Sequence, residues 1–226
     1  MRRRPAPASW HPAAVLLAVQ LLGVVLFPFI DEARGRAVLS LFGLVVLFLA
    51  VRAVQASPAL TWISIVLGVP IAVLSIAQVA DPTNAQIELW SAILFAIFYF
   101  YTSYALIRYL YEERVVTAET LLATGATFTV LAWAFAYTYE AVQVVWPGSF
   151  SAVGGAAGEP RSWFELLFLS FTNLTSVGLS DITPALPNAR SVVMIEQVAG
   201  LLYVALIISR IVGITVARQR ADAGRE

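Results

Sequence analysis

Thr172-Asn173-Leu174-Thr175-Ser176-Val177-Gly178-Leu179-Ser180-Asp181-Ile182-Thr183-Pro184 stands between an apolar run ending near Phe171 and the last long apolar segment of the chain. The run before it, Trp163 to Leu174, follows Ser162, and Ser162 with Glu165 three residues on is a capping-box pattern that opens a helix. Twelve helical residues at 1.5 Å each span about 18 Å, too short to cross a bilayer but long enough to reach its middle. The chain must therefore turn within the quoted stretch and return to the side it came from.

Composition supports a membrane setting. Of 226 residues, 60% are hydrophobic and 12% charged, and several runs reach the roughly 20 apolar residues needed to cross about 30 Å of hydrocarbon. Net charge is zero, which by itself says nothing about nucleic acid, but no basic aromatic patch appears, so nucleic acid is not an expected partner. There is no cysteine, which excludes disulfides, zinc thiolates and thiol catalysis. The single histidine, His11, precedes the first apolar run, so a histidine-centred site inside the membrane is excluded as well. No enzyme is expected.

Outward from the quoted stretch, six spans are predicted. The first is Ala13 to Ile30, read as an uncleaved helix because Phe29-Ile30-Asp31-Glu32 offers no small-residue cleavage site; Pro28 bends it or ends it early. The second is Ala37 to Val54, and the third Ala59 to Val79, with a kink at Pro70. Asp81-Pro82-Thr83-Asn84 is a turn. The fourth span, Ile87 to Tyr111, is aromatic-rich, and the fifth runs from Thr117 to Val145. Ser149 to Gly158, rich in Gly, Ala and Ser, reads as a flexible loop outside the membrane. The sixth span is Arg190 to Val216, followed by a polar tail. The expected fold is thus an all-α membrane protein with one re-entrant helix and loop between the fifth and sixth spans. Residues 1–115 would form a four-helix region and 116–226 the module that holds the loop.

All fourteen basic residues are arginine, which points to a GC-rich bacterial genome and hence a bacterial plasma membrane. With six spans both ends share a side. That side holds Arg2, Arg3, Arg4, Arg52, Arg108, Arg114, Arg210, Arg218, Arg220 and Arg225; the other holds Arg34, Arg36, Arg161 and Arg190. Ten against four places both termini in the cytoplasm.

Residues 175–184 resemble the potassium-channel family, whose filter string reads T-T-V-G-Y-G-D-I-T-P. Seven of the ten positions are identical, while Ser176, Leu179 and Ser180 replace Thr, Tyr and Gly. The resemblance covers Trp163 to about Ile214 closely and looks like the small bacterial six-helix members of the pore-loop family. It implies that carbonyls of Thr175, Ser176, Val177, Gly178 and Leu179, with the Thr175 hydroxyl, bind a dehydrated potassium ion in place of its water. One loop per chain requires several copies, and in the family that number is four, so a homotetramer in membrane lipid is expected. No cofactor is expected beyond the permeant ion. The inward-pointing end of the short helix would favour a cation below the filter.

Further readings follow, some from the resemblance and some from the residues themselves. Ser180 stands where the family's glycine adopts a backbone shape costly for any residue with a Cβ, and Leu179 lacks the hydroxyl that ties the filter to the helix behind it. Asp181 matches the family's acidic residue at the mouth; Thr172 stands where some members place its carboxylate partner. Gly200, twenty-two residues after Gly178, is either a hinge or a close-packing point. By helical spacing Gln197, Leu201, Val204 and Ile208 would face the cavity. Glu196, an ionisable group within a span, is read as bonding the helix that supports the filter, with Asn173 the suggested partner and ion contact the alternative. Asn173-Leu174-Thr175 fits a glycosylation pattern but falls on the filter and is set aside. The fourth span carries only Arg108 near its end, an anchor rather than a voltage-sensing ladder. Other readings are a non-selective cation channel, a non-conducting structural or sensing subunit and, more weakly, a transporter; transporters with such loops carry four per chain.

Overall fold

The computed structural model describes residues 12–29, 45–46, 48–49, 58–112, 116–155 and 158–223. Helices α1 (Pro12–Leu26), α2 (Pro58–Ala80), α3 (Ala85–Glu112), α4 (Ala118–Val145), α5 (Trp163–Leu174) and α6 (Pro187–Ala223) make up nearly all of them. Short strands β1 (Phe150–Ala152) and β2 (Ile182–Pro184) flank α5. Phe27–Phe29, carrying Pro28, forms a tight 3-10 turn that ends α1, whereas α2 continues through Pro70.

Local signals set the helix starts. The Asn84 side-chain oxygen accepts from the backbone N–H groups of Gln86 and Ile87, capping α3. Thr117 and Thr120 form a reciprocal capping box at α4.

Helix α4 is central: Val130 to Tyr137 are all buried, and it packs against α1, α3, α5 and α6. Its fully buried small residues, Ala126, Ala132, Ala134 and Ala136, let neighbouring backbones approach, which is how helices associate where lipid offers no hydrophobic drive. Against α3 the contact is aromatic. Phe95 stacks on Tyr137 with ring centroids 4.5 Å apart, and Trp133 meets Trp163 of α5 edge-on at 4.9 Å. Thr102 and Ser103 satisfy their hydroxyls on carbonyls one turn back, both at 2.9 Å.

Among the described residues, three helices are long and apolar enough to cross a membrane: Ala85–Glu112, Ala118–Val145 and, within α6, Pro187–Val216. Shorter apolar helical stretches, Ala13–Phe29 and Val66–Ala80, lie on the first and third expected spans, the latter ending one residue past Val79. The second expected span, 37–54, lies almost wholly outside the described residues, as do Arg2, Arg3, Arg4, Arg34, Arg36, Arg52, Arg114 and Arg225.

Two expectations are corrected. The segment 149–158 is not merely a loop, because Phe150, Ser151 and Ala152 pair antiparallel with Pro184, Thr183 and Ile182. The last helix runs from Pro187 to Ala223, 37 residues, past both expected ends. Proline is well suited to a first helical position, and the Arg, Ala and Gln of the tail are good helix formers, so neither end is a true boundary.

Candidate functional site

The site is the turn from α5 into β2, held at both ends. At its start, Ser162 Oγ accepts from the Glu165 N–H at 3.3 Å and a Glu165 carboxylate oxygen accepts from the Ser162 N–H at 2.6 Å. Arg161, buried, is fastened to the end of α4: its N–H donates to the Gln143 side-chain oxygen and its carbonyl accepts from the Gln143 side-chain nitrogen, both at 2.9 Å. Its guanidinium donates to the Glu159 carbonyl at 2.8 Å and lies 3.8 Å from Glu165.

Beyond α5 the backbone folds back on the last helical turn. The N–H groups of Val177 and Gly178 both donate to the Thr172 carbonyl at 3.0 Å, and Ser176 donates to Asn173 at 2.9 Å. The Thr175 hydroxyl donates to the Phe171 carbonyl at 2.7 Å. The carbonyls of Thr175, Ser176, Val177 and Leu179 receive no hydrogen bond from the described residues, whereas that of Gly178 accepts from the Ser180 N–H at 3.1 Å. Residues 175–179 are exposed along the surface of the single chain, Leu179 by 75%.

Backbone strain falls at a different residue from the one expected. Ser176 has φ of 60° and Gly178 of 70°, the left-handed region that penalises a Cβ, while Ser180 is not among the residues of positive φ. Folding Val177 and Gly178 onto the one carbonyl of Thr172 forces the reversal early. Ser180 instead uses its hydroxyl to accept from the Ile182 N–H at 3.1 Å, opening β2. Thr183 and Ser151 hydroxyls lie 3.1 Å apart across the strand pair, and the Asp181 carbonyl accepts from the Val153 N–H at 3.1 Å. The exposed Asp181 side chain therefore stands on a braced corner.

Behind the turn, Glu196 of α6 is fully buried. Its carboxyl group is bonded to the Tyr139 hydroxyl of α4 and the Ser170 hydroxyl of α5. The Asn173 amide donates to that tyrosine at 3.4 Å. Tyr139 and Ser170 are absent from the sequence-derived site; Ser170 shares a face of α5 with Asn173 and Leu174, the one signal that pointed to it. Gly200 lies one turn along α6 from Glu196 and abuts the Leu174 carbonyl. Gln197 and Leu201 join Thr172, Ser176 and Gly178 around a groove of about 540 Å³. Val204 and Ile208 instead border an apolar groove with Phe128 and Tyr203.

The inward face of α6 is narrow: Val193, Glu196, Gly200, Tyr203 and Ile207. Most of the rest of that span, including Ile195, Val198, Leu202, Leu206 and Val212, is exposed and apolar.

Residues 125–217 match a family model described as ion channel. No curated protein and no solved structure matches the chain. The match begins within α4, takes in α5 and the braced turn, and ends within α6, so the elements that build the site are the ones it covers. The chain is a multi-pass membrane protein, and its segment 125–217 is similar to an ion channel family.

Proposed function

We propose that the chain is one subunit of a homotetrameric, potassium-preferring channel of a bacterial plasma membrane, with six spans and both termini cytoplasmic. The observation that carries this reading is the run of carbonyl oxygens at Thr175, Ser176, Val177 and Leu179 that accept no hydrogen bond from the described residues. A cation stripped of water needs such oxygens, and irregular backbone at membrane depth is tolerated where it lines water or is buried in protein. One strand cannot enclose an axis; four copies can. The apolar face of α6 supports assembly, because helix faces in a membrane bundle are covered by lipid or by a neighbour and the filter-side groove opens on this one.

Passage would follow the ion's gradient without chemical change. Ions would exchange hydration for carbonyls, helped by the negative end of α5, which terminates just before Thr175. Asp181 at the outer corner would raise the local cation concentration.

A second reading, a non-selective cation pore, is favoured by one detail: the Gly178 carbonyl is engaged by Ser180 rather than free. Reversal potentials of the purified protein in bilayers under asymmetric potassium and sodium separate the two. Native mass spectrometry is expected to give a tetramer; monomer or dimer alone would remove the channel reading.

A further inference from the structure

Glu196 is a carboxyl group with no exposed surface, set within a membrane-length helix. Ser170 Oγ touches its Oε1 and also lies 2.8 Å from the Ala132 carbonyl oxygen of α4. A serine hydroxyl has one hydrogen, and a carbonyl only accepts. If Ser170 spends its hydrogen on Glu196, two oxygens face each other at 2.8 Å with nothing between them. If Ser170 spends it on Ala132, the contact with Glu196 needs a hydrogen from Glu196. Tyr139 completes the count, receiving from Asn173 and donating to Glu196 Oε2. Every group is then used once, along Asn173, Tyr139, Glu196, Ser170 and Ala132.

The groups that face the carboxyl are Tyr139 on α4 and Ser170 and Asn173 on α5, none of them cationic. Ion pairs among the described residues lie elsewhere, at Arg108 with Glu112 and at Arg161 with Glu159 and Glu165. An ionised Glu196 would have no counter-charge in its first contacts, and a buried unpaired charge is costly.

We propose that Glu196 is a neutral acid whose proton closes this hydrogen-bond chain, and that it is a positioning residue for the filter. Two contacts, each one helical turn apart on both partners, register α6 against α5: Glu196 with Ser170, and Gly200 with Leu174. Leu174 leads directly into Thr175, so the side-to-side placement of the free carbonyls is set by α6 through this pair of contacts. The positioning role rests on the filter reading given above; the proton does not.

Infrared difference spectra of the full chain in lipid vesicles test the proton. A carbonyl band of a protonated carboxylic acid is expected, sensitive to deuterium exchange and missing in Glu196→Gln; its absence from wild type overturns the neutral acid. Reversal potentials test the positioning. Glu196→Ala is expected to lower the potassium-to-sodium permeability ratio by about tenfold, the scale of one buried polar group left without its partner. Glu196→Gln, which donates to Ser170 and accepts from Tyr139, is expected to rescue it. Ser170→Ala, a milder change that keeps the fold in reach, is expected to lower the ratio in the same direction. A ratio unchanged in both Glu196→Ala and Ser170→Ala overturns the role. Wild type that conducts without potassium preference would refute the potassium reading instead and leave the non-selective pore, and the infrared arm would still decide the proton.

Discussion

Replacing Gly200 by alanine puts the contact between α6 and the start of the filter to a quantitative test. A Cβ at Gly200 would fall on the carbonyl group of Leu174, 2.9 Å from its carbon and 3.0 Å from the Leu174 Cα. The obstacle is backbone and cannot rotate aside. At Gly213 on the same helix nothing lies within 4 Å of the added atom. Alanine gains about 1 kcal/mol over glycine within a helix, and that gain cancels between the two variants. Overpacking costs about 1–3 kcal/mol, and an immovable neighbour puts this site in the upper part of that range. Gly213→Ala should therefore be stabilised by up to about 1 kcal/mol and Gly200→Ala destabilised by about 1–2 kcal/mol. Unfolding of both in mixed detergent micelles, followed by tryptophan fluorescence, measures the gap of about 2–3 kcal/mol. The displaced pore helix should also lower the potassium-to-sodium permeability ratio of Gly200→Ala alone. Equal stability of the two variants, with an unchanged ratio, would refute the close approach. Slower opening at full stability would mark a hinge instead.

Two more outcomes are expected. Ser176→Gly relieves a left-handed residue and should hold or raise stability by up to about 1 kcal/mol in the same unfolding assay; Ser180→Gly should lower it by about 1 kcal/mol, because it deletes the hydroxyl that accepts from Ile182. Open probability in planar bilayers should vary weakly with voltage, since steep dependence needs several charges at about 2.3 kcal/mol each per 100 mV; Arg108 is tied to Glu112 at 2.9 Å at the exposed end of α3, so a steep curve that survives Arg108→Gln would contradict this.

Selectivity takes a different form once the strain is placed. The expectation that Ser180 distorts the outer filter came from matching it to a family glycine. The chain makes its left-handed turns at Ser176 and Gly178 instead, and it engages the Gly178 carbonyl internally. Leu179, exposed and without a hydroxyl, adds no tether. In the proposed channel, a weakened preference for potassium is expected from both features, now centred on residues 176–179. Leu179→Tyr is the substitution expected to sharpen it, read from reversal potentials.

Sequence alone determined what depends on neighbours along the chain. Apolar length set the spans of α3, α4 and α6, the Ser162–Glu165 box set the start of α5, and Pro28 set the end of α1. The turn after α5 was legible because an apolar helix too short to cross a bilayer must be followed by a return. Glu196 stood out because a carboxyl group within an apolar span is anomalous wherever it points. Only the tertiary structure decided its partners, since Tyr139 and Ser170 are 57 and 26 residues away. The same holds for β1, three residues whose pairing with β2 comes from a chain segment beyond α5. It holds also for Ser176, whose left-handed φ arises when two N–H groups converge on one Thr172 carbonyl. Hydrophobic period and capping act within a turn or two of helix; hydrogen-bond partners and close approaches between helices are fixed by packing, which joins residues that no local pattern connects.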